Sequence, residues 1–463
     1  MREFYGRKGE LEALNRFLSI VEKRGTSQMV AVIGRRRVGK TTLMLKAFED
    51  CGLPVFYFFA DANADAAETA ETWLRQICGV YSVEYPPALA RPEDVLGYLM
   101  QLAQEKPAVC IIDECQNLNQ IGKSFWSQLQ RIWDTKKDRS RLLLVMSGSI
   151  ISAMETIFGE SSQPLFGRLS GQLMIKPFTP QEIMEIVGKE APELAPMDIL
   201  TLYAVTGGVA KYMELLIDAA ALGQREIVEF IFSNAGGWIR SEGAIYLANE
   251  FRADSPVYLQ ILKRVAAGKT RWNEIQDGME TVVSPYISRL EQFHLLRKNI
   301  PFGAKPGTRN SRYAVTDPYF RFWLKFVDPL ACRTLAEANQ WGVLIKQTIE
   351  ALPVYLGRAL ESWYLEKCLG SGEWVEAGSW WDKRGENEID LIALSFDRKT
   401  LLVGEAKLNA RKYNAVRLAM KAENFLAAHP ELKSMDVRQC GLCPELMGKA
   451  WAEILEAGET ALS

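Results

Sequence analysis

Histidine is nearly missing from this 463-residue chain; His294 and His429 are the only two. Neither has a nucleophile and an acid clustered around it, so no Ser-His-Asp or Cys-His reading fits. A charge bias is missing too. Fifty-five Lys and Arg stand against 57 Asp and Glu, a formal net charge of −2, so any nucleic-acid partner must be met by a local patch. No run approaches the ~18 apolar residues of a membrane span. The N-terminus is charged from Arg2 and has no apolar signal core. A cytoplasmic protein without membrane contact is expected. Cysteine pairs are scarce: the eight cysteines are scattered and read as small buried hydrophobes in a reducing compartment. Only Cys440 and Cys443 have ligand spacing, and a structural zinc site needs four ligands. Carboxylates, lysines and phosphates must carry any chemistry. What is present is ample: a 48% hydrophobic fraction and, at about 150 residues per domain, length for about three domains.

The strongest signal is "MVAVIGRRRVGKTTLMLKAF". Met29 to Ile33 is an apolar, β-branched run that predicts a buried strand. Gly34, four residues, then Gly39, Lys40 and Thr41 follow, and a helical apolar pattern comes next. Strand, phosphate loop and helix is the context this motif needs. Backbone N–H groups from Gly34 through Val38, Gly39 and Thr42 would cradle phosphates. Lys40 would reach the β- and γ-phosphates of ATP, and the Thr41 hydroxyl a Mg²⁺ ion. Arg35, Arg36 and Arg37 either contact phosphate, a partner domain or DNA, or are solvated and salt-bridged.

"AVCIIDECQNL" supplies the second half. Asp113 ends a buried strand, where it would hold Mg²⁺ through water. Glu114 is placed to polarise the attacking water. A third strand, "RLLLVMSGSI", ends in small hydroxyls. Ser147 or Ser149 would sense the γ-phosphate there, or the run is an ordinary strand-to-loop turn.

With "FYGRKGELEALNRFL", "VIGRRRVGKTTL", "IIDECQNL" and "PLFGRLSGQLMIKPFT" in view, residues 1 to 330 resemble the archaeal-type ATPases. That family belongs to the STAND branch near AAA+ and origin-recognition ATPases. The resemblance implies that Tyr5, Gly6 and Arg7 lie near the adenine, and that Arg168 in "FGR" reads nucleotide state. "TGGVAKYM" falls where these ATPases carry Gly-Gly-x-Pro; Ala210 stands at the proline position. An oligomer with Arg168 acting across an interface is one arrangement the resemblance allows.

Residues 180–250 predict a helical lid on the α/β core of 1–179. Residues 251–330 have winged-helix rhythm. Across 256–312, ten Lys and Arg against four Asp and Glu leave +6. Either "SPYISRLEQFHLLRK" enters a DNA groove with Lys305, Arg309 and Arg312 on phosphates, or the module packs within the chain.

A helical connector, 331–352, leads to a third region, 353–463. Side chains alternate on strands, so Leu401, Val403, Glu405 and Lys407 share one face. Glu388, Asp390, Ile392 and Leu394 share another. A turn between Asp397 and Arg398 sets Asp390 opposite Glu405 and Glu388 opposite Lys407. Two carboxylates that close need a cation or a proton between them. Asp390, fourteen residues, then Glu405-x-Lys407 resembles the PD-(D/E)xK nucleases, and also the domain that commonly follows archaeal-type ATPase modules. The resemblance implies a restriction-endonuclease-like α/β fold, with Glu361 on the preceding helix joining Asp390 and Glu405 around Mg²⁺ or Mn²⁺. Asp390, Glu405 and Lys407 would then be catalytic. The alternatives are a surface Glu405–Lys407 ion pair at a strand end and an inherited fold that no longer cuts. "KLNARKYNAVRLAMKAENF" predicts a basic helix, and Lys407, Lys412, Arg417 and Lys421 either track a phosphate backbone or are solvated.

The sequence thus predicts an α/β P-loop ATPase with a helical lid, a winged helix and a nuclease-like domain, joined in an ATP-driven switch. DNA is the expected partner. The competing reading is a switch whose last domain binds DNA or a protein without cutting.

Overall fold

The computed structural model describes residues 3–122, 124–305 and 307–460, with side chains through residue 457. It divides into two compact units. One is Gly6–Lys176; the other is the chain from Pro177 onward together with the N-terminal residues up to Tyr5.

The first unit is built on five strands: β1 (Gln28–Ile33), β2 (Val55–Phe59), β3 (Ala108–Asp113), β4 (Leu142–Gly148) and β5 (Gly171–Met174). They lie in the order β2-β3-β4-β1-β5, and every pairing is parallel. Parallel sheets need cover on both faces, which is why the strands read as unbroken apolar runs. β3 and β4 are buried along their whole length. Helix cover follows amphipathic spacing; on helix Ala66–Tyr81, Trp73 stacks on Phe58 of β2 with centroids 4.7 Å apart. β4 lies between β1 and β3. The strand order therefore brings the ends carrying Gly34, Ser147 and Asp113 side by side, at the carboxyl edge where α/β sheets bind ligands.

The second unit opens with helices Pro180–Glu190, Pro196–Thr206, Ala210–Asp218, Gln224–Ile231 and Gly237–Phe251. The first starts with a capping box: the Thr179 hydroxyl accepts from Glu182 N–H while the Glu182 carboxylate accepts from Thr179 N–H. Helices Ser255–Ala266, Trp272–Gln276 and Ser284–Gln292 come next. An antiparallel pair follows, β6 (Leu296–Asn299) with β7 (Arg312–Val315).

Trp341–Ser371 is one continuous helix of 31 residues with Pro353 inside it. The expected boundary between a connector ending at 352 and a domain starting at 353 therefore falls within a helix. Proline removes one N–H but leaves the rest of the ladder on either side. The chain then forms β8 (Trp374–Trp381), β9 (Glu388–Ser395) and β10 (Thr400–Ala406). Helix Ala415–Ala428 and β11 (Asp436–Leu442) follow. The sheet order is β11-β10-β9-β8, with β10 and β11 parallel and the other pairs antiparallel. Ile392, Leu394, Leu401 and Val403 bury one sheet face against Leu418, Ala422 and Phe425 of helix Ala415–Ala428.

Candidate functional sites

The phosphate loop sits between β1 and helix Lys40–Phe48. Gly34 must be glycine: a Cβ there would lie 2.4 Å from the Ile175 carbonyl oxygen. Gly39 adopts φ +94° at the helix entry and Arg37 φ +74°, backbone that L side chains other than glycine adopt at a cost. Lys40 Nζ donates to the carbonyls of Gly34 at 2.8 Å and Arg35 at 3.2 Å, curling over the loop it opens from. Arg7 Nη2 donates to the Val38 carbonyl at 3.2 Å, tying the N-terminal segment to the loop. Of the three loop arginines, Arg35 is buried, Arg37 half-buried and Arg36 exposed; Thr42 is exposed. Tyr5 belongs to the second unit, where its hydroxyl donates to Glu190 at 2.7 Å.

Asp113, 3% exposed, is the hub of the acidic side. Its Oδ2 accepts from Thr41 Oγ1 at 2.6 Å and from Tyr57 Oη at 2.9 Å. Its Oδ1 accepts from Glu114 N–H at 3.0 Å. Burial and the Asp113 charge raise the Tyr57 phenol above its ordinary pKa. A hydroxyl and a carboxylate 2.6 Å apart beside a phosphate loop fit a hard divalent cation, which takes one or two such oxygens and completes its shell with phosphate and water.

Glu114 is in left-handed backbone, φ +53°. Its Oε2 accepts from Ser149 Oγ at 2.7 Å and from the Gln116 side-chain amide. Of the two candidate serines, Ser149 meets the acid. Ser147, the one assigned to the nucleotide, is fully buried within β4, and its hydroxyl has no hydrogen-bond partner among the described residues. Arg168 is engaged within the loop and with a neighbouring acid. Its Nε and Nη2 clasp Asp134 at 2.8 to 3.2 Å, and Nη1 donates to the Pro164 and Phe166 carbonyls. Tyr57 and Gln116 were missed in the sequence. The one hint was a tyrosine hydroxyl within the strand run "VFYFF".

In the last sheet, the β9–β10 register is the expected one: Leu394 faces Leu401 and Leu391 faces Gly404. One step on, the backbone ladder gives way to a side chain, and Asp390 Oδ2 accepts from Ala406 N–H at 2.8 Å. Asp390 thus comes beside Glu405. Glu388 does not come opposite Lys407. It pairs with Trp381 across β8, and its carboxylate takes Arg312 Nη1 at 3.1 Å. Lys407 N–H turns to the Leu442 carbonyl on the β11 side. The Glu388 contact engages Arg312, whose guanidinium also stacks 4.5 Å from the Trp381 ring centroid. Lys305 and Arg309 stay exposed.

Glu405, 4% exposed, accepts from Lys421 Nζ at 2.9 Å and lies 3.3 Å from Lys407 Nζ. Burial alone would raise its carboxyl; Lys421 and Lys407 outweigh burial and hold it below the usual carboxylate range. Burial raises the Asp390 carboxyl, with the Ala406 amide and Lys407 opposing. Surrounding protein mass, then the Asp390 and Glu388 charges, push Glu361 up to about 7, though its side chain keeps an open side to water. Among the described residues no group of three His, Cys, Asp or Glu side chains converges to hold a metal ion. Glu361, Asp390 and Glu405 are not drawn together as the expected three-carboxylate set in this structure: Glu405 meets two ammoniums and Asp390 the Ala406 amide. Lys421, expected on a phosphate backbone or in solvent, is instead Glu405's nearest cation. Cys440 and Cys443 are buried, and burial pushes their thiols up to about 12 and about 11.

The phosphate loop, Asp113 and the parallel sheet define the class of domain. Residues 4–216 match the family model described as an ATPase domain predominantly from Archaea. Residues 323–418 match a second family, described as Archaea bacterial proteins of unknown function. Among particular proteins, the chain is 26% identical over 415 residues to the uncharacterized protein MJECL04 of Methanocaldococcus jannaschii, covering 87% of each. It is similar in fold to the Walker-type ATPase PABY2304 of Pyrococcus abyssi, with TM-score 0.53 and 18% identity, over 70% of this chain and 96% of that one. The ORC2 protein of Aeropyrum pernix is also similar, with TM-score 0.48 and 18% identity, over 75% and 96%. No helix among the described residues is long and apolar enough to cross a membrane.

Proposed function

We propose that the protein binds and hydrolyses ATP, with Mg²⁺ held between Thr41, Asp113 and the nucleotide phosphates. The observation that carries this reading is the 2.6 Å contact joining Thr41 of the phosphate loop to Asp113 at the end of β3. Lys40 moves from the loop carbonyls to the β- and γ-phosphates when nucleotide enters. Mg²⁺, once bound, neutralises charge on those phosphates. Glu114, released from Ser149, orients the attacking water. Arg7, tied to the loop through the Val38 carbonyl, would flank the adenine together with its neighbours Gly6 and Tyr5 along the chain. The test is ATP turnover by the full chain. Lys40→Ala should lose nucleotide binding. Glu114→Gln should bind nucleotide and lose at least about a hundredfold in turnover. Turnover by Lys40→Ala equal to the parent would sink the assignment.

For the C-terminal domain we propose a nuclease-like fold that handles nucleic-acid phosphates, with the β6–β7 module as a winged helix. The helix-β8-β9-β10-helix-β11 order and the Asp390–Glu405 juxtaposition support that reading. Cleavage with Mg²⁺ or Mn²⁺, abolished in Asp390→Ala while ATP turnover survives, is its test. The pairing of Glu405 with two lysines favours a second reading, a domain that binds DNA or a protein without cutting. Binding of DNA without cleavage at any metal concentration would establish it. Sedimentation with and without nucleotide would reveal an oligomer.

A further inference from the structure

We infer that Tyr57 is a positioning residue for the metal–nucleotide complex, acting through Asp113; the inference rests on the ATP reading above. On β2, alternate residues face opposite ways. Phe56 and Phe58 are fully buried and stack on Tyr81 and Trp73. Tyr57 points the other way, half-buried, and its hydroxyl reaches the same Asp113 oxygen that Thr41 holds.

The three donors on Asp113 differ in what nucleotide binding asks of them. Glu114 N–H is fixed by the backbone. Thr41 must turn an oxygen lone pair to the cation. Tyr57 alone is a side chain from outside the nucleotide motif, and it can stay in place throughout. It holds the carboxylate plane while Thr41 adjusts. It is also neutral. A lysine at this position would compete with the cation for Asp113, whereas a phenol orients the carboxylate without cancelling its charge. Outer partners of this kind typically contribute about 10- to 100-fold in metal affinity or activity.

Tyr57→Phe keeps the ring and removes only the hydroxyl. In the full chain, two titrations test it: fluorescent ADP-analogue binding in EDTA, and Mn²⁺ binding in the presence of ADP, read from the free Mn²⁺ electron paramagnetic resonance signal. Tyr57→Phe is expected to bind the analogue in EDTA as the parent does, and to need roughly tenfold more Mn²⁺ for half-saturation. An unchanged Mn²⁺ midpoint overturns the inference. So does an equal loss of binding in EDTA, or a Tyr57→Phe chain that no longer unfolds cooperatively, since either makes Tyr57 a general structural residue. If the parent binds no analogue under either condition, the ATP reading itself falls, and the two failures are thereby told apart.

Discussion

Lys421 Nζ lies 2.9 Å from Glu405 Oε1, nearer than Lys407 Nζ at 3.3 Å, although Lys407 is only two residues from Glu405 along the chain. Lys421 is also the better buried, with 15% of its side chain exposed against 32%. Breaking a buried pair leaves the remaining charge uncompensated. Lys421→Met should therefore cost about 1–3 kcal/mol in urea unfolding, and Lys407→Met under about 1 kcal/mol. Glu405→Gln with Lys421→Met should recover most of the loss. Because Glu405's folded pKa is lowered, the pair's contribution is present above the ordinary glutamate value of about 4.3 and lost as pH falls through the lower folded value. The parent's advantage over Lys421→Met should therefore vanish in strong acid. Equal effects from the two lysines would contradict the geometry.

Glu361 gives a pH dependence of opposite sign. Its carboxyl is pushed up to about 7 in the folded chain. Between the unfolded glutamate value of about 4.3 and that folded value, the folded state binds more protons than the unfolded one, so stability falls as pH rises. Above about pH 7 the loss is complete. Calorimetry of the parent and Glu361→Gln across pH 5 to 8 should show the parent losing ground steadily to the variant as pH rises. Parallel curves would mean that water on the open side of Glu361 screens it fully.

How much of this was legible depended on whether a feature is local. The phosphate loop is contiguous, and strand, Gly34, Gly39 and Lys40 fix one another by spacing. The β9–β10 register could be read from a turn at Asp397 and Arg398, since antiparallel pairing follows from the turn alone. What failed was pairing across long separations. Glu388 was expected on Lys407, but Arg312, 76 residues away, takes it. Lys421 is 16 residues from Glu405 on a helix whose docking angle no pattern specifies. Tyr57 meets Asp113 only because β2 and β3 are neighbours, and nothing in a hydrophobic run states which strand lies beside it. The helix through Pro353 was unreadable because tertiary packing overrode a local breaker.

The Gly207–Gly208 pair leads into the helix that begins at Ala210. Gly207 and Gly208 have φ +60° and +71°. The Gly208 carbonyl also accepts from Phe178 N–H, with the backbones so close that a Cβ on Gly208 would sit 2.3 Å from the Phe178 oxygen. Gly208→Ala combines a disfavoured backbone with a backbone clash that no side-chain rotation relieves. It should cost about 2 kcal/mol or more. Gly223→Ala, whose Cβ would meet only the movable end of Glu226, should cost less. Chemical denaturation of both variants checks the order.

Arg168 and Asp134 allow a structural role to be separated from a nucleotide-reading one. The ion pair is partly exposed, 25% and 40%, so its own worth is about 0–1 kcal/mol. Arg168's hydrogen bond is the main cause holding the Asp134 carboxyl below its ordinary value, so that contribution is present above the ordinary aspartate value and lost in acid. Arg168→Ala removes the guanidinium; Asp134→Ala removes only its clasp and leaves it free. If Arg168 leaves Asp134 to meet nucleotide, ATP turnover should fall at least tenfold, about 1.4 kcal/mol, in Arg168→Ala and be kept or raised in Asp134→Ala. If the pair only braces the loop around Pro164 and Phe166, both variants should lose similar, small amounts of stability and turn over ATP alike. Steady-state turnover with thermal unfolding on the same two proteins decides between them.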